Sequence, residues 1–139
     1  MSIQFALVPL FFQILLVFIL MVWMGKKRQT ALRRGEVHPR DISLREPKWP
    51  PKAMQVANCF SNQFEIPVLF YVVTVLALIT RQVDLLFVSL SWLFVVSRYV
   101  HAYIHTTSNR VSRRGIVYGL GVLIVIALWV ELALRLYLL

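Results

Sequence analysis

Residues 53–79 read AMQVANCFSNQFEIPVLFYVVTVLALI, an apolar run of 27 residues that carries one charge, Glu65. At ~1.5 Å per residue, a helix of this length exceeds the ~30 Å hydrocarbon core of a bilayer. Its polar residues Gln55, Asn58, Asn62 and Glu65 fall at spacings of three, four and three, which is one stripe of a helix. Pro67 follows. It lacks an amide proton, so it is expected to bend the helix or loosen its hydrogen-bond ladder. A carbonyl freed beside a glutamate would be open to a ligand.

Three more blocks are long enough to cross a bilayer: about Phe5 to Met24, Leu85 to His105, and Ile116 to Leu138. Of the 139 residues 59% are hydrophobic, and the mean hydropathy is +0.71. A soluble domain of this size keeps a polar face on each surface helix, which this composition excludes. The expectation is an all-α, integral membrane four-helix bundle. It forms one domain over 1–139, with helices about 5–24, 53–79, 85–105 and 116–138 and a basic loop 25–52. The first block reads as an uncleaved anchor. No positive charge precedes it, Lys26, Lys27 and Arg28 follow it, and no small-residue cleavage site stands out.

The net charge of +9 is a matter of position. Nine of the fifteen Lys and Arg residues lie between Lys26 and Lys52, and Arg110, Arg113 and Arg114 lie between the third and fourth blocks. Short loops rich in Lys and Arg stay in the cytoplasm. Loops 25–52 and 109–115 are therefore expected there, with both termini on the opposite side. Such loops also attract anionic headgroups. Membrane lipids are thus the expected partners of this charge, and nucleic acid is not. A compact chain without retention signals suits a bacterial inner membrane.

The third block carries a second stripe: Ser91, Phe94, Arg98, His101 and His105, at spacings of three, four, three and four. Arg98 stays charged at any ordinary pH and needs an anion. Glu65 is the one acid in the middle of the apolar spans. Counted from their cytoplasmic ends the two lie at similar depth, ~13 and ~12 residues in, so a pair is allowed within one subunit or across two. Intramembrane ionisable residues usually face the bundle interior or a water-filled cavity. A buried Glu–Arg pair can equally be structural, and intramembrane Asn and Gln often act as glue between helices. At the cytoplasmic end, Arg110, Arg113 and Arg114 beside a polar cleft would form an anion site for carboxylate, thiolate or phosphate, or serve as topology anchors.

Other features read as structural. Cys59 lies alone in an apolar helix, so no intramolecular disulfide is possible and packing is expected. Pro9 and Gln13 are expected to pack. Gly115 and Gly119 would allow close helix approach, and Glu131 and Arg135 are spaced to pair. The run Pro47 to Pro51 should not be helical, and its Trp49 suits the headgroup region. Tyr99, Tyr103 and Tyr118 offer hydroxyls to a ligand or to an aromatic belt. No metal is expected.

Asn62-x-x-Glu65 ahead of Pro67 and an aromatic run to Tyr71, Arg98-x-x-His101, four helices and a long basic first loop together resemble the MAPEG proteins. These are the membrane-associated proteins of eicosanoid and glutathione metabolism. The match is nearest to the microsomal glutathione transferase and prostaglandin E synthase branches and covers the second helix through the fourth. The resemblance implies a homotrimer with ligand sites between subunits. It implies that Asn62, Glu65, Arg98 and His101 line a glutathione cleft, and that Arg114, with Arg110 one turn earlier, lies near the thiol. Arg113 would substitute if the loop register shifts by one. Two positions depart from the pattern. Asn58 stands where the glutathione-binding members carry an arginine, and His105 stands where they commonly carry a tyrosine.

The function this implies is a glutathione-dependent transferase, or a related enzyme, acting on lipophilic electrophiles at a subunit interface. Arg114 and Arg113 would be catalytic. Asn58, Asn62, Glu65, Arg98, His101, His105 and Arg110 would bind ligand. A second class is a non-enzymatic trimer of the same fold that binds lipid or fatty acid, which the Asn58 and His105 departures favour. A small multidrug transporter also has four short helices, but its glutamate belongs in the first helix and its loops are very short.

Overall fold

The computed structural model describes residues 2–44 and 48–139. Its helices are α1 (Ile3–Arg33), α2 (Pro51–Asn62), α3 (Ile66–Ile79), α4 (Leu85–Thr106) and α5 (Val111–Tyr137), with a 3-10 turn at Pro39–Ile42. Four stretches are long and apolar enough to cross a membrane: α1, α2 with α3, α4, and α5.

The second crossing is broken at the proline expected to disturb it. Pro67 has no amide to donate to Gln63, and its ring would crowd that carbonyl. The chain tightens ahead of it. The amides of Gln63, Phe64 and Glu65 bond three residues back, to Phe60, Ser61 and Asn62, at 3.0, 3.0 and 3.3 Å. Glu65 then leaves the helical region at φ −98, ψ −108, and α3 starts at Ile66. The Cys59 carbonyl, which loses the Gln63 amide, instead accepts from the Gln63 side chain at 3.1 Å. Gln13 of α1 donates to the other end of that side chain at 3.1 Å. Both glutamines are fully buried.

Two helices are longer than the hydropathy implied. α1 runs nine residues past Met24, because Lys26 to Leu32 are mostly strong helix formers with no breaker. It ends where Gly35 takes φ +69. There the Glu36 and Gly35 amides bond to Ala31 and Leu32 at 3.0 and 3.2 Å, a Schellman closure. Much of the basic segment is therefore helix and not loop. α5 begins at Val111, five residues before Ile116, so Arg113 and Arg114 sit in its first turn. Asn109, at φ +50, makes the reversal, and its amide bonds to Ile104 at 2.8 Å. Pro47 lies outside the described residues. Lys48 to Pro50 are non-helical, whereas Pro51 opens α2, at a position where a missing amide is harmless.

α4 is the central element. It packs along α5 and against α1 and α2, while α3 packs on α5. One core joins α3, α4 and α5 through Phe70, Phe87, Phe94, Val125 and Leu128. A smaller one joins α1, α2 and α4 through Leu16, Leu20, Cys59 and Ala102. Gln55 ties the start of α2 to the end of α4, donating to the His105 carbonyl at 2.7 Å and to Thr107 at 3.2 Å. Large apolar side chains such as Phe5, Phe11, Phe18, Leu93, Ile116 and Leu123 are exposed, as lipid-facing residues are.

α4 and α5 approach closely at Gly121, where a Cβ would lie 3.3 Å from Ser97 Oγ. A Cβ at Gly115 or Gly119 would meet nothing within 4 Å, so the expected close packing is not there within the chain. Glu131 and Arg135 do pair, at 3.1 Å. Arg135 also reaches the Asp84 carboxylate, which caps α4 by accepting from the Phe87 amide at 2.9 Å.

Candidate functional site

The break between α2 and α3 lies opposite the inward stripe of α4. Ser91, Phe94, Arg98, His101 and His105 are all buried, Arg98 to 1% exposure. The Arg98 guanidinium does not meet Glu65 directly. It donates to the amide oxygen of Asn62, and the Asn62 nitrogen donates to Glu65 Oε2 at 3.2 Å. Asn62 thus stands between the cation and the carboxylate. It can do so because the broken helix turns Glu65 back over its last residue. Tyr118 of α5 adds a longer bond to the same Glu65 oxygen at 3.4 Å, and its ring lies 5.7 Å from the Arg98 guanidinium.

Asn62, Glu65 and Tyr118 border a cavity of about 380 Å³, lined also by His101, His105, Val111, Arg114 and Gly115. The His101 and His105 rings meet edge-on at 5.6 Å, and His101 lies 5.8 Å from Tyr118. Both imidazoles are buried, and Nδ1 of each lacks a hydrogen-bond partner, as does Arg98 Nε. Buried polar atoms left in this way are unusual and point to a site that a polar ligand or water completes. Arg114 reaches the cavity from the first turn of α5. It is held there by donating to Asn109 Oδ1 at 2.7 Å.

Of the nine residues expected from sequence, Asn62, Glu65, His101, His105 and Arg114 line this cavity, and Arg98 lies behind Asn62. Three do not join them. Arg110 and Arg113 are exposed and do not line the cavity: Arg110 is the extended residue ahead of α5, outside its helical register, and Arg113, one residue before Arg114, points about 100° away around the helix. Asn58 borders a different cavity of about 800 Å³ with Arg28, Trp49 and Ser61. Asn58 and Asn62 share the unbroken α2, but Asn58 is exposed at the outer edge of the stripe, while Asn62 is half-buried. Arg28 lies 5.0 Å from the Trp49 ring on that side. Gln55 is a helix tie.

Sequence reasoning left Val111 and Gly115 off the candidate site and offered Tyr118 only as one of three tyrosines open to a ligand or to an aromatic belt. Tyr118 follows Arg114 by four residues, so it falls on the same helix face. That spacing could have found it.

The family model described as the MAPEG family matches residues 6–134. No curated protein and no solved structure matches the chain. With that match over nearly its whole length, the chain belongs to the MAPEG family. Its four apolar helices and that membership make it an integral membrane protein.

Proposed function

We propose that this MAPEG protein is a glutathione-dependent transferase, or a closely related enzyme, acting on lipophilic electrophiles at the interfaces of a homotrimer. The family includes glutathione transferases and related enzymes. The observation that carries the reading is the single cavity shared by an amide, a carboxylate, two imidazoles, a phenol and an arginine. This donor set fits glutathione, which brings carboxylates, an ammonium group, amides and a thiol. Glu65 would take the ammonium group, and Asn62 would keep Glu65 and Arg98 in place. Arg114 would hold the sulfur as thiolate, because a nearby cation favours the charged form of a thiol.

The bound thiolate supplies the nucleophile. Its sulfur forms a bond to an electrophilic carbon arriving from the bilayer, and the leaving group departs with its electron pair. The chain excludes bulk water through the buried α4 stripe and presents apolar helix faces to the lipid side. By the positive-inside rule, loops 25–52 and 109–115 would face the cytoplasm of a bacterial cell, with the cavity mouth near that surface.

A second reading, a trimer that binds lipid or fatty acid without catalysis, is favoured by the place of Asn58 outside the cavity. One preparation decides between them. Detergent-purified protein is assayed for conjugation of glutathione to an aryl halide, and its bound lipid is extracted and weighed by mass spectrometry. Conjugation, with thermal stabilisation by millimolar glutathione, supports the enzyme. Stoichiometric lipid with neither effect supports the binding protein.

A further inference from the structure

The strongest unassigned feature is the imidazole pair. His101 and His105 are exposed to only 2% and 6%, line the same cavity as Arg114, and each carries a buried Nδ1 without a partner. A buried imidazole normally has its tautomer fixed by a hydrogen bond. The α4 stripe gives neither ring one. Of the two, His101 stands next to Arg98 in the stripe and against the Tyr118 ring. His105 is the one at the last turn of α4, toward Arg114 and the turn at Asn109. Its backbone is pinned by Gln55, so the point from which the ring projects is fixed without any ligand.

We propose that His105 is a catalytic base that takes the proton of the ligand thiol, so that ionisation in this protein does not depend on Arg114 alone. The inference rests on the reading of the cavity as a thiol site. The S–H bond breaks, its electron pair stays on sulfur beside Arg114, and the proton passes to the imidazole lone pair. When the C–S bond forms and the leaving group departs, the imidazolium gives that proton to the leaving group or to water at the mouth. The charged and titratable groups around His105 are His101 and Arg98 on α4, Arg114 and Tyr118 on α5, and Glu65 ahead of α3. Two of these are fixed cations, and the carboxylates of the incoming ligand offset them. Proton transfer to His105 is therefore coupled to ligand binding. A phenol at this position has no basic nitrogen and leaves the proton to the solvent.

The test mixes protein with glutathione in weak buffer, and follows thiolate by its ultraviolet absorbance and proton release by a pH indicator. In the wild type, fewer protons reach the medium than thiolates form. In His105→Gln the two match, or thiolate formation slows. His105→Tyr serves as the second variant in case His105→Gln does not fold, with matching release expected. Equal proton and thiolate yields in the wild type, or a mismatch that persists in both variants, would overturn the role of His105. Absence of thiolate and of glutathione binding in the wild type would instead sink the underlying thiol-site reading, and this inference with it.

Discussion

Arg98 meets Glu65 only through Asn62: the guanidinium donates to the Asn62 oxygen, and the Asn62 nitrogen donates to the carboxylate. An amide can bridge in this way because it presents an acceptor to the cation and a donor to the anion. Removing it leaves a buried guanidinium without that acceptor. Asn62→Leu should destabilise the protein by about 3–5 kcal/mol, as unpairing a buried charge does. Asn62→Asp keeps the acceptor for Arg98 but sets a second carboxylate against Glu65 in place of the donor, so it should recover only part of that loss. Apparent unfolding midpoints in detergent check both, and equal midpoints for Leu and wild type would deny the bridge any structural weight.

Gln63 holds the helix break from behind, through its bonds to the Cys59 carbonyl and to Gln13. Gln63→Leu should cost about 1–2 kcal/mol, within the range for interhelical polar contacts in membranes. The Gln13→Leu and Gln63→Leu changes together should cost less than their sum, since each alone strands the other's amide. A double-mutant cycle on unfolding midpoints reads this directly, and strict additivity would show that the two amides do not interact.

At the far end of the bundle, burial alone would raise the pKa of the Asp84 carboxyl. The Phe87 amide, the Glu131 side chain, Arg135 and the Leu86 amide outweigh burial and hold it below the usual range. A carboxylate depressed on folding contributes stability above its unfolded pKa and loses it as pH falls through the folded value. The Asp84 contribution should thus be complete near neutrality and fade as pH drops below about 4. Asp84→Asn should lower the unfolding midpoint at pH 7, with the gap to wild type closing in acid. A gap that stays constant with pH would remove the charge from the account.

Two glycines of α5 should respond in opposite ways. Gly121→Leu puts its side chain onto Ser97 Oγ and Phe94, and overpacking of this kind costs about 1–3 kcal/mol. At Gly115 a Cβ meets nothing within 4 Å, so Gly115→Leu extends into the open cavity and should leave the unfolding midpoint unchanged or slightly raised, because leucine is the better helix former. Thermal scans of the two variants side by side test the contrast.

Arg114→Ala should lower turnover of bound glutathione by about 100-fold or more, the scale for losing one group that stabilises developing or transient charge. Its binding should weaken much less. Separate measurement of kcat and of glutathione affinity decides, and unchanged kcat would take Arg114 out of the mechanism.

Much of this was legible from particular residues. The length and apolarity of the runs gave four crossings, Pro67 marked the break, and the spacing from Arg98 to His105 identified the inward face of α4. What escaped in the second crossing lies at two places. Within the unbroken α2, Gln55 ties α4 while Asn58 is exposed at the edge of the stripe and borders another cavity; past the break, Glu65 folds back over Asn62. Helix ends were misjudged where charged residues carry the helix beyond the apolar run, at Lys26 to Arg33 and at Val111 to Gly115. Hydropathy senses lipid contact, and backbone hydrogen bonding continues past it.

The central claim is that one cavity, bordered by Asn62, Glu65, His105 and Arg114, holds the anionic thiol. Gly115 also lines that cavity, yet has open space around it, so a leucine there fills the site without disturbing the fold. Equilibrium dialysis of labelled glutathione against wild type and Gly115→Leu is the direct measurement. Saturable binding in the wild type, lost in a variant with an unchanged unfolding midpoint, is the predicted result. Equal binding in both proteins, or none in the wild type, would contradict it.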